Sequence, residues 1–165
     1  MPKSRTILSL FADDIRQEMD GKVTYVGVYQ GGMNVNGVPP AVLPKLAIST
    51  YIHMPIDERF KTMSLELMLD NELINHIDVP PEHVLSAGVS AAAQPGEFRE
   101  ITFNAVMVLQ PLVLAKGGIL RVNAKLDGEE LVGNGLRIGF VAPITTGIPE
   151  SSTSAPTVPE SAVKV

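Results

Sequence analysis

The chain has 165 residues, 45% of them hydrophobic and 19% charged, which is enough for one well-formed core and too short for two comfortable domains. A net charge of -5 with no Lys/Arg cluster offers nothing to a phosphate backbone or an anionic bilayer, so neither nucleic acid nor a membrane is an expected partner. The absence of cysteine excludes thiol nucleophiles, disulfide frameworks and thiolate zinc sites together.

The opening "MPKSRTILSLFADD" is basic, but its apolar run of about five residues falls short of the roughly 7 to 15 of a secretory segment. Nor does any stretch approach the roughly 18 apolar residues of a membrane span. The expected location is cytoplasmic. In "FADDIRQEMDGK", residues 11 to 22, Phe11, Ile15 and Met19 make a helical stripe too short to decide anything. The turn at its end is more telling. Asp20-Gly21 supplies the positive φ of a tight turn directly before "KVTYVGVY", a β-branched and aromatic run. A strand over residues 7 to 17, a turn and a second strand are therefore predicted.

Next comes "GVYQGGMNVNG", whose glycine spacing matches neither a phosphate loop nor a dinucleotide fingerprint and reads as loop or hairpin. Within "MNVNGVPPAVLP", Met33, Val35, Val38 and Val42 accompany a proline pair whose restricted backbone lowers the cost of ordering a docking surface. Those four residues are the candidate interface; the plainer alternative is a connector packed over its own sandwich. Leu46, Ile48, Thr50, Ile52 and Met54 then alternate with Ala47, Ser49, Tyr51 and His53, the period of a half-buried strand. The same period returns at Leu65, Leu67 and Leu69, from Ile101 to Leu109, from Leu120 to Leu126 and from Leu136 to Phe140. Turn signals punctuate these runs at Asp70-Asn71, Pro80-Pro81, Pro95-Gly96, Gly117-Gly118 and Asp127-Gly128. The long irregular stretch "VPPEHVLSAGVSAAAQPGEF" has room for a strand near residues 83 to 86.

Strands without alternating helices predict an all-β fold, a single antiparallel β-sandwich of seven to nine strands, immunoglobulin-like or C2-like, over residues 6 to 141. Residues 142 to 165 are Pro/Ser/Thr-rich, carry too few large apolar side chains to offset the entropy of ordering, and are expected to be a disordered tail.

Candidate chemistry is sparse. Consecutive strand residues point to opposite faces, so Asp13 and Asp14 make poor partners on one ion unless the strand bulges; with Asp57 they are the weak cation candidates. Pairing of Arg16 with a neighbouring carboxylate is the simpler expectation. His53, His76 and His83 fall in different registers and form no ligand set, and no G-x-S-x-G elbow is present. No catalytic residue, metal site or cofactor is therefore assigned.

The punctuation resembles that of a family of short uncharacterised β-sandwich proteins of bacteria and tailed phages. The resemblance rests on Ala12-Asp13, Gly21-Lys22, Gly27-Val28-Tyr29, Leu43-Pro44-Lys45-Leu46 and the closing hairpin from Gly118 to Glu129, and extends over residues 8 to 141. It implies a sandwich fold in the cytoplasm of a bacterium or host cell, or virion-associated if the chain is phage-encoded, and brings no active site. The expected function is a non-enzymatic protein-binding or assembly module of bacterial or phage origin that presents loops or a sheet edge to a protein partner or self-associates as a homodimer or higher oligomer. A small-ligand, glycan or calcium-dependent binding sandwich is the alternative, weakened for sugars by the lack of tryptophan, and a hydrolase ranks last.

Overall fold

The computed structural model describes residues 5–55, 58, 60–83 and 100–142. Its first hairpin joins Thr6–Gln17 (β1) to Val23–Val28 (β2) through a single 3-10 turn at Met19–Gly21. Asp20 stands at φ 68° and Gly21 at φ 73°, the paired positive values that let a tight turn match the twist of its flanking strands. The chain continues through Gly32–Asn36 (β3), Ala41–Leu43 (β4), Leu46–Pro55 (β5), Met63–Leu69 (β6) and Glu72–Val79 (β7). It closes with Glu100–Leu109 (β8), Leu112–Leu114 (β9), Gly118–Leu126 (β10), Glu129–Leu131 (β11) and Gly135–Val141 (β12).

Two sheets enclose the interior. The smaller has the order β2-β1-β5-β8; the larger runs β3-β12-β10-β6-β7, with β11 also paired to β10. A separate ribbon of β4 and β9 packs Leu112 and Leu114 into the same interior. All pairings are antiparallel except that of β3 with β12, which is parallel. The fold is thus the expected β-sandwich, with one parallel edge strand added. Asp70 at φ 53° and Asp127 at φ 49° occupy the two-residue turns that connect β6 to β7 and β10 to β11. Asp127 does more than turn the chain. Its carboxylate accepts from Thr62 N at 2.9 Å, Lys61 N at 3.0 Å and the Thr62 hydroxyl at 3.0 Å, and these bonds hold its pKa below the ordinary value.

Alternation builds the core directly. Phe11, Ile48, Ile52, Ile101 and Met107 from the smaller sheet meet Leu65, Leu67, Leu120, Val122, Leu136 and Ile138 from the larger in one continuous cluster. Asn134, between β11 and β12, ties the two sheets. Its side-chain oxygen accepts from Ser9 N at 2.7 Å while its amide donates to Ser9 O at 2.9 Å, so a side chain supplies both bonds of a missing neighbouring strand. The hydroxyls of Ser9 and Thr50, buried on the inward face, satisfy each other at 3.0 Å.

Three local expectations change. The stretch "GMNVN" is a strand rather than a loop, because Met33 and Val35 alternate into the core beside Ile138 and Phe140 of β12. Its glycine and asparagines mask a strand whose apolar residues number only two. The expected strand after Asp127-Gly128 breaks at residues 132 to 134, so β11 and β12 pair different halves of β10. His83 lies in a helical turn, and residues 84 to 86 of the strand expected there lie outside the described residues. The Pro95-Gly96 turn, the segment 84–99 and the tail from residue 143 lie outside the described residues.

Candidate functional site

β5 does not behave as a half-buried strand. Leu46, Ile48 and Ile52 face the core, yet Ala47 and Ser49 on the opposite face have no exposed surface either. Register explains how. Val28 of β2, Ala12 of β1, Ala47 of β5 and Val108 of β8 lie side by side in one row across the outer face of the smaller sheet. Beside it runs a row of Leu10, Ser49 and Val106, and beyond that Leu8, Tyr51 and Asn104. Tyr25 of β2 pairs with Ile15 of β1, and its hydroxyl reaches Ser49 and Tyr51 of β5, two strands away.

The Tyr25 hydroxyl donates to Ser49 Oγ at 3.0 Å and also hydrogen-bonds the Tyr51 hydroxyl, while Asn104 Nδ2 donates to Ser49 Oγ at 2.8 Å. Ser49 is therefore an acceptor held by two donors. Desolvation, the largest influence, raises the Tyr25 pKa and keeps its phenol neutral, so the cluster is polar but uncharged. Around it Leu8, Val26, Val28, Val106 and Val108 remain well exposed. One end of the face carries His53, whose Nδ1 lies 2.9 Å from Thr102 Oγ1. The other carries Asp14, paired with Lys45 and, at 3.0 Å, with Arg16.

The acidic pair is accounted for separately on each residue. Asp14 is pulled down to about 2, first by its hydrogen bond from Lys45 and then by that from Arg16. Asp13 accepts from the Tyr29 hydroxyl, and burial together with that carboxylate pushes Tyr29 up to about 12. Gly27, at φ 65°, lies against the Asp13 side chain, where a Cβ would overlap the carboxylate. Thus Asp13 and Asp14 are engaged with different partners, and Asp57 lies outside the described residues. Among the described residues, no group of three or more metal-ligating side chains converges. His76 belongs to the other sheet, with Nε2 3.0 Å from Asp78.

The loop candidate divides. Met33 and Val35 are only 5% and 7% exposed and belong to the core, because β3 is a genuine strand; they are not interface residues. Val38 and Val42 are 68% and 61% exposed, and Val42 stands opposite the exposed Val113 on the outward side of the β4–β9 ribbon. A cleft of about 320 Å³ lies elsewhere, lined by Arg5, Thr6, Ile7, Glu130, Leu131 and Val132. Its Arg5 already pairs with Glu129 at 2.7 Å and donates to Glu58 O at 3.2 Å, so that cation is already engaged.

Sequence reasoning misses Tyr25, Ser49, Asn104, Val106 and Val108 as members of one surface. A signal for them exists: the outward positions of β5 and β8 between Lys45 and His53 carry no charge, unlike those of an ordinary solvated face. No protein-family model matches the chain, and no curated protein matches it. Among the described residues no helix is long and apolar enough to cross a membrane.

Proposed function

We propose that this chain is a non-enzymatic protein-binding or assembly module, working in the cytoplasm of a bacterium or of a phage-infected cell. It presents the outer face of its smaller sheet and the edge of β8 to a protein partner, with the Val38, Val42 and Val113 knob as a secondary contact. One observation carries this reading: exposed apolar side chains and a neutral, internally satisfied hydroxyl cluster share one face of a net-negative protein. Burying neutral groups whose hydrogen bonds are already made costs little, and burying Val28, Val106 and Val108 is favourable at about 25 cal/mol per Å². The resemblance to short bacterial and phage sandwich proteins supports the same setting.

A photo-reactive residue in place of Val28 tests it in the cell of origin, with one at Arg137 on the other sheet as reference. Adducts from position 28 that vanish when V106K and V108K are added support the reading. Adducts formed equally from position 137, or none from position 28, reject it.

A further inference from the structure

The edges of the two sheets are not equally protected. In the larger sheet, edge strand β7 carries Glu72, His76 and Asp78 and pairs with β6 across a register shift at Leu67/Met68. The other edge, β3, is short and presents Asn34 and Asn36. In the smaller sheet β2 contains Gly27 at positive φ. Charges, irregularities and short strands are the usual defences of an edge against further pairing. β8 has none of them. It runs 10 residues without proline or glycine, and its one charge, Glu100, sits at its extreme end. Among the described residues no strand pairs its outer edge. On one face of this edge Val106 and Val108 are 41% and 49% exposed; on the other, Phe103, Ala105 and Leu109 are left only partly covered by the core.

We propose that β8 pairs antiparallel with β8 of a second copy, about a two-fold axis perpendicular to the sheet, so that two four-stranded sheets become one continuous sheet. This rests on the binding-module reading and names its partner. Charge selects this occupant. Two chains of net charge -5 repel, so association needs a surface without charge, and antiparallel self-pairing sends the two Glu100 side chains to opposite ends of the junction. A register centred on Ala105 pairs the whole stretch from Ile101 to Leu109 and sets Val106 opposite Asn104 of the partner subunit. Main-chain hydrogen bonds between the edges supply affinity, and the valine rows of the two copies meet on the outer face. A strand of this length spans roughly 33 Å, and with layers about 10 Å apart the junction buries on the order of 700 Å² in total. That is below the roughly 1,200 Å² of stable complexes, so the dimer is expected to be reversible and concentration-dependent.

Sedimentation equilibrium on the full chain tests this. The expected result is a reversible shift toward twice the 17.7 kDa of one chain. V106K, which brings two lysines diagonally together across the junction, should hold the mass at that of one chain with unchanged far-ultraviolet circular dichroism. Ile77→Lys, on the β7 edge, should leave the shift intact. Because the natural chain has no cysteine, Ala105→Cys should give a disulfide-linked dimer on mild oxidation, since directly opposed residues have the spacing such a bond requires. A wild-type chain that stays monomeric at every concentration, or a dimer indifferent to V106K and dissociated by Ile77→Lys, overturns the proposal. Persistence of the adducts from position 28 in a strictly monomeric protein would remove the second copy and keep the binding module; loss of those adducts from a protein that still dimerises would do the reverse.

Discussion

On the outer face of the larger sheet, Glu66 of β6 pairs with Lys125 of β10 at 2.6 Å and approaches His76 of β7 at 3.7 Å, and His76 continues to Asp78. On the outer face of the smaller sheet the equivalent positions hold Tyr25, Ser49, Tyr51 and Asn104, bonded to one another without a formal charge, among exposed valines. Both faces are made by the same period-two alternation over one shared interior. They differ in what desolvation would cost. Stripping water from Glu66 and Lys125 is costly, and attraction between the partners only partly offsets it. Covering the neutral cluster removes little hydration that is not already replaced. A strand pattern can thus satisfy the core equally on both sides while giving the two outer faces very different desolvation costs.

The widest break in this contrast comes from beneath it. Leu67 and Leu120 have no exposed surface and belong to the interior both sheets share. Leu67→Ala should cost about 2–5 kcal/mol in denaturant unfolding and lower the stability of both faces together, in a single transition. Separate transitions for the two sheets would show that the interior is not shared. Next comes Ser49→Ala, which leaves the Tyr25 hydroxyl and the Asn104 amide without their common acceptor and should cost about 1–3 kcal/mol. Glu66→Gln on the other face should change much less, its partners being able to turn to water. Equal costs would mean that the neutral cluster is no better satisfied than the charged one.

Much of this fold is legible in the sequence, and for a physical reason. The hairpin at Asp20-Gly21, the turns at Asp70-Asn71 and Asp127-Gly128 and the inward rows of β5, β6, β8, β10 and β12 are local signals, carried by positive φ or by period two. The pairing of Arg16 with Asp14 is equally local. β3 is not legible, because its strand character comes from a parallel neighbour more than a hundred residues away rather than from its own glycine and asparagines. The neutral face is hidden for the same reason. Ser49 and Asn104 look like ordinary solvated strand residues until the tertiary structure brings the Tyr25 hydroxyl, from a strand two positions across the sheet, onto Ser49. Met33 and Val35 look like loop apolars available to a partner because nothing local reveals the strand that holds them.

Titration sharpens the comparison at the β1–β2 end of the neutral face. Asp14 is held near 2, below its ordinary 3.8, so its contribution is complete above about pH 4 and is lost as pH falls toward 2. Tyr29 is raised from its ordinary 10.0 to about 12, so the folded state holds that proton more tightly than the unfolded chain. Stability from this group is complete below pH 10 and declines as pH rises from 10 to 12. Melting temperature should therefore fall at both extremes. Asp14→Asn should flatten the acid limb and Tyr29→Phe the alkaline one; an alkaline limb unchanged in Tyr29→Phe would assign the loss to other groups.

The smallest effect belongs to the charged face and is informative because it is small. Lys125 has its pKa raised above the ordinary value, first by the hydrogen bond to Glu66, so whatever it contributes is present below that ordinary value and fades as pH climbs through the raised one. Lys125 is well exposed to solvent, however, while the Glu66 side chain is 15% exposed, and at physiological ionic strength charges are screened over about 8 Å. Lys125→Met should leave the melting temperature nearly unchanged in ordinary salt and lower it slightly when salt is removed. Adding Glu66→Gln removes both charges of the pair, which Lys125→Met alone does not, since it leaves Glu66 without its lysine and the face no cheaper to cover. If V106K abolishes association while the double substitution Glu66→Gln with Lys125→Met creates none, lack of charge is necessary for contact and not sufficient, and the open edge of β8 supplies the remainder. If the double substitution instead makes the protein associate through its larger sheet, desolvation cost alone separates the two faces.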